Sequence, residues 1–206
     1  MTVSPTTGPA TTGPATTGPA TGAGSPARVV SARVAYQWHW PNDAARPGVV
    51  RHEYGVPPTP ALIRIGAGDH PSDRGERPFN RMSFTFSTAM PGYTFQFADE
   101  LAGDGSGRPI PVAGHGVLRI TFRQARAHTA DGTASTVVTQ PVRPLGMAVM
   151  ADYAPAGDYE GVLTYGIGVG RAGQGNPQPL VRAYEVVRAV AGGSYEYTVA
   201  IDIAAR

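Results

Sequence analysis

From Arg28 onward, apolar and polar residues alternate with a period of two, the spacing of a strand that buries one face. In "RMSFTFS" (81–87), Met82, Phe84 and Phe86 share one face, and Ser83, Thr85 and Ser87 share the other. "GYTFQFA" (92–98) repeats the pattern with Tyr93, Phe95 and Phe97, and the Pro-Gly of the intervening "TAMPG" predicts that the two runs form a hairpin. Further strands are predicted at 32–36, 61–65, 117–122, 145–151, 161–169, 180–187 and 195–203, nearly all rich in β-branched or aromatic residues. Clusters of Gly, Pro, Asp and Ser separate them, and no stretch has the 3.6-residue period of an amphipathic helix. The pattern predicts an all-β chain folded as an antiparallel β-sandwich.

One stretch invites another reading. "GDGSGRPIPVAGHGVLRI" (103–120) has the glycine content of a phosphate-binding loop. Such a loop opens a helix whose amides face the anion, whereas this one holds two prolines and runs into "VLRITF". Asp104-Gly105 and Ser106-Gly107 are turn formers, so the segment reads as a long turn feeding a strand.

The period-two signal is absent before Arg28. Residues 1–27 carry "TTGPA" repeated at five-residue intervals, with no large apolar side chain after Val3. Proline removes ladder hydrogen bonds, and glycine keeps chain entropy high, so this segment is expected to be a disordered spacer. Residues 28–206 then form a single domain, a size at which one core suffices.

Charge and composition narrow the chemistry. Seventeen basic against 15 acidic residues, spread along the chain, give no basic stripe and so no case for nucleic acid as a partner. All the basic side chains are arginine. The lack of cysteine excludes disulfides, thiolate metal sites and a cysteine nucleophile in this chain. No run reaches the ~18 apolar residues of a membrane span, and the first residues lack the pattern of a signal peptide.

The order of several segments is informative. "LIRIGAGDHPSDRGERPFNRMSFTF", "PGYTFQF", "GSGRPIPVAGHGVLRITFRQARAHTADG", "GDYEGVLTYGIGVG" and "VRAYEVVRAVAGGSYEYTVAIDIA" follow one another over about residues 60–205. In this order they resemble the AMIN-like domain of actinobacterial secreted proteins and lipoproteins. The resemblance implies a β-sandwich module outside the cytoplasm, with a cell-wall polymer or an envelope protein as partner, in kinship with peptidoglycan-binding AMIN domains. It departs from the family at Asn80, where an aspartate is usual before the arginine. Residues 28–60 fall outside it, and they either add strands to the sandwich or wrap across it.

For ligand contact, Trp38 and Trp40 in "YQWHWPN" lie two apart, on one side of an extended chain, where two indole faces would offer a sugar platform. Arg64, Arg81 and Arg119 interleave with apolar residues on predicted strands, as Arg182 does, and would present a polar surface to acidic wall polymers. The histidines, at 39, 52, 70, 115 and 128, match no metal-ligand spacing, and His52 and His70 read as turn or surface residues. No Gly-x-Ser-x-Gly elbow is present. Asp99–Glu100 and Asp158–Glu160 are the carboxylate pairs to weigh for glycoside hydrolysis, the latter sharing a strand face if extended. The expectation is therefore a binding module with no catalytic residues, metal or cofactor. A protein-interaction module using an edge strand is the first alternative, and a wall-directed hydrolase the second.

Overall fold

The computed structural model describes residues 27–72, 75–170 and 179–205. The spacer expected at 1–27 lies, up to Pro26, outside the described residues. Two five-stranded antiparallel sheets pack face to face, and no α-helix occurs among the described residues. Sheet A runs β1 (Arg28–His39), β11 (Val181–Ala189), β12 (Tyr195–Ala204), β4 (Phe79–Ser87), β3 (Leu62–His70). Sheet B runs β2 (Val49–Val50), β5 (Gly92–Ala98), β8 (Gly116–Arg123), β10 (Val162–Val169), β9 (Met150–Tyr159). A short ribbon, β6 (Leu101–Ala102) with β7 (Pro109–Ile110), stands apart from both.

The alternation places the core. Met82, Phe84 and Phe86 of β4 face Leu118, Ile120 and Phe122 of β8, all fully buried, and Phe122 meets Phe84 and Phe86 at 5.0 and 4.9 Å between ring centroids. Side chains from the two inner faces together make one core.

The expected β4–β5 hairpin does not form. β4 pairs with β12 and β3 in sheet A, while β5 pairs with β2 and β8 in sheet B, so "TAMPG" carries the chain across the core. Both strands have an aromatic inner face, and the two faces are buried in opposite layers. Strand boundaries also move. The run expected at 145–151 is strand only from Met150, and β9 continues through "ADYAPAGDY" to Tyr159. β9 and β10 are joined by Glu160-Gly161, both at positive φ (49° and 75°), a two-residue turn suited to the twist of a hairpin.

Residues 28–60 do both things left open by the pattern. β1 extends sheet A at the β11 edge, and the segment after it crosses to sheet B, where the Asn42 amide exchanges two hydrogen bonds with the Phe97 backbone (2.7 and 2.9 Å). One buried carboxylate fastens this strap. Glu185, facing inward from β11, accepts from Arg33 of β1 (2.8 Å), His52 beyond β2 (2.7 Å) and the Tyr93 hydroxyl of β5 (3.0 Å). His52, in the irregular segment after β2, is thereby held half-buried. Burial, reinforced by the negative Glu185, pushes the Tyr93 phenol far above its ordinary pKa, so it stays a donor.

The glycine-rich stretch forms the β6–β7 flap, with Gly105 and Gly107 at φ 74° and 63° as the turn reading requires. The flap lies on the outer face of sheet B over the two glycines of "TYGIG". A Cβ on Gly166 would come within 2.7 Å of Leu101, and one on Gly168 would run into the Ala113 carbonyl oxygen. Leu101, Val117, Ala154 and Ala156 thus form a second small core.

Candidate binding face

The register of sheet A aligns three charged residues on its outer face. Arg182 of β11 lies opposite Asp202 of β12, which lies opposite Arg81 of β4. Each faces outward because its neighbours in sequence, Val181 and Ala183, Ile201 and Ile203, Met82, fill the core. Asp202 is fully buried between two guanidiniums. Arg81 grips it through Nε and Nη2 at 2.6 and 2.9 Å, and Arg182 through Nε and Nη2 at 2.9 and 2.8 Å. Burial opposes the charge of Arg81, but its hydrogen bonds to Asp202 and that carboxylate's field outweigh it and raise its pKa above the ordinary value.

Aromatic rings wall in the arginines. Arg182 lies over Trp38 at 4.7 Å and Phe79 at 5.0 Å, and Arg81 over Phe79 at 5.2 Å and Tyr184 at 5.5 Å. Trp38 meets Phe79 edge-on at 5.9 Å, and His70 stacks on Phe79 at 4.5 Å. Arg77, from the β3–β4 connection, lies over Trp38 at 5.4 Å. The result is a platform in which guanidinium and aromatic groups alternate. In the next row, Tyr184 is followed across the sheet by the small residues Ala200, Ser83 and Gly66.

The residues singled out from the sequence divide as follows. Trp38 and Arg81 belong to the platform. Arg64 shares the outer face of sheet A and binds Glu196 at 2.5 Å. Trp40 follows the last residue of β1 and is 42% exposed. Arg119 is on the other sheet, where it binds Asp104 of the flap at 2.5 Å. Arg77, Phe79 and Asp202 were missed. Asp202 carried a signal, an isolated acid inside the apolar run "TVAIDIA", but nothing local named its partners.

The carboxylate pairs do not converge. Asp158 turns toward His128, accepting from its Nδ1 at 2.7 Å and from the Ala127 amide at 3.0 Å, while Glu160 sits in the β9–β10 turn. The shared strand face expected for them fails because β9 ends at Tyr159. Asp99 and Glu100 lie beside a cavity of about 280 Å³ under the flap, walled by Leu101, Ile110, Val112 and Val117. Among the described residues, no three His, Asp or Glu side chains are grouped to hold a metal ion.

Two of the signature segments meet in this geometry, since His128 follows Ala127 and Asp158 opens "DYEG". The family model for the AMIN-like domain matches residues 61–204, from the start of β3 to the end of β12. The chain belongs to the AMIN-like domain family. No curated protein and no solved structure matches it. The AMIN-like match takes in Arg77, Phe79, Arg81, Arg182 and Asp202, whereas Trp38 is supplied by β1, ahead of it. Asn80, at the departure from the family pattern, donates to Asp69 (2.7 Å) and accepts from the Val149 and Met150 amides (2.8 and 3.3 Å). An aspartate there would face Asp69 with like charge. AMIN-like domains are in general non-catalytic binding modules, and membership points to a cell-envelope setting.

Proposed function

We propose that this AMIN-like protein is a non-catalytic module of the cell envelope that lies outside the cytoplasm, held away from a surface by its TTGPA spacer, and binds a cell-wall glycan polymer through the outer face of sheet A. The observation that carries the reading is the Arg182–Asp202–Arg81 row walled by Trp38, Phe79 and Tyr184. The partly exposed Trp38 and Tyr184 rings supply apolar area for sugar rings, and the guanidinium hydrogens that Asp202 does not take supply donors for hydroxyls and acids. Buried Asp202 fixes those donors in place, which lowers the entropy lost on binding.

A second reading is favoured by β1. It is an edge strand whose first seven residues are exposed, with Val29, Val30 and Val34 at 51%, 47% and 38%. Such an edge suits an envelope protein that adds a strand.

The test is co-sedimentation of the full chain with purified, protein-free cell wall, alongside Trp38→Ala/Trp40→Ala and Val29→Lys/Val34→Lys variants of unchanged melting behaviour. Retention lost with the tryptophans and kept with the lysines supports the glycan platform. No retention above a control protein abandons it and turns the search to strand-donating partners.

A further inference from the structure

Arg182 is only partly satisfied by Asp202. Its Nε and Nη2 are both committed there, but among the described residues Nη1 has only Glu76 Oε1, at 3.4 Å, and the Glu76 side chain is 60% exposed. At that length and exposure the contact is a weak one. Arg77 is exposed, lies against the same indole as Arg182, and has no carboxylate partner among the described residues. Among the described residues the platform therefore holds three guanidiniums against two carboxylates, one of which is loosely held and open to solvent.

We propose that the Arg182–Trp38–Arg77 corner is a carboxylate-binding site, and that Glu76 occupies it in the free protein as an internal competitor. The proposal rests on the platform reading above and deepens it by naming the ligand group. A ligand carboxylate replaces Glu76 on Arg182 Nη1 and gains Arg77, which Glu76 leaves unused. Two donors on one planar acid make a stronger contact than the single long one they replace. The acid belongs to a sugar acid of a wall polymer or to the free end of a peptide, and the same corner serves either.

The test follows the Trp38 indole N–H and the Arg77 and Arg182 Nε–H resonances of the full chain during titration with glucuronate and with N-acetyl-alanyl-alanine. Glucuronamide and the dipeptide amide are the neutral controls. The acids shift these resonances and the amides do not, and whichever acid binds identifies the source. Glu76→Gln tightens binding about threefold, the order expected from removing one exposed ion pair, and Arg77→Gln weakens it by a similar factor. Both side chains are exposed, so neither change threatens the fold. Acids and amides behaving alike, or Glu76→Gln leaving affinity unchanged or weaker, overturns the proposal. The wall experiment separates the two ideas. Acid binding without wall retention keeps the carboxylate site and sinks the wall reading, while wall retention without acid binding does the reverse.

Discussion

Asp202→Asn is the sharpest test of how the platform is held together. The carboxylate is fully buried and takes four contacts of 2.6–2.9 Å from two guanidiniums, whose side chains are 26% (Arg81) and 11% (Arg182) exposed. Asparagine conserves volume, so no cavity term enters. It presents one acceptor oxygen, and its NH₂ then meets a guanidinium donor to donor, leaving Arg81 without its carboxylate and Arg182 with only the long contact to Glu76. Removing one partner of a buried ion pair costs about 3–5 kcal/mol. For a domain of this size that is a fall in melting temperature of about 6–20 °C. Urea unfolding of the variant and the parent, with unchanged m-values, measures it directly. A second variant isolates the cause. Asp202→Leu with Arg81→Met and Arg182→Met removes all the charges together and recovers most of the stability, because an apolar set of similar volume needs no desolvation of ions. A loss below about 1 kcal/mol for Asp202→Asn, or a triple variant less stable than the single one, refutes the argument.

Three further outcomes are expected. Gly168→Ala drives a methyl group into the Ala113 carbonyl and detaches the flap, so residues 99–115 become sensitive to limited proteolysis while the sandwich stays folded; an intact, protected flap contradicts this. Glu185→Gln weakens the hydrogen bonds from Arg33, His52 and Tyr93 and costs about 2 kcal/mol, read as faster amide exchange in residues 28–54; unchanged exchange there removes Glu185 as the fastener of the strap. Acid stability follows the aspartates whose pKa is depressed on folding: Asp152 by Arg143, Asp43 by His39, and Asp131 to about 2 by the Thr129 hydroxyl. Their stabilisation is complete above the unfolded value of about 4 and is lost as pH falls through the folded values, so melting temperature drops between about pH 4 and pH 2. A flat or rising profile in that window excludes them as contributors.

The sequence by itself determined the class of fold, because a period of two is a local property that each strand carries in its own residues. Phe84 and Phe86, or Tyr93 and Phe95, announce a buried face wherever they are placed, and Gly105 and Gly107 demand a turn whatever follows. The order of signature segments likewise sufficed to reach the family. Which strand lies beside which was decided only by the tertiary structure. Two aromatic-faced runs joined by Pro-Gly satisfy the same local rules as a hairpin in one sheet or as a crossing between two, and β4 and β5 took the second course. The platform has the same origin. Arg81, Arg182 and Asp202 lie far apart in the chain and meet because β4 and β11 both pair with β12 in one register. A one-residue slip would turn each of them toward the core, so the proposed binding face depends on long-range pairing that no short stretch of sequence encodes.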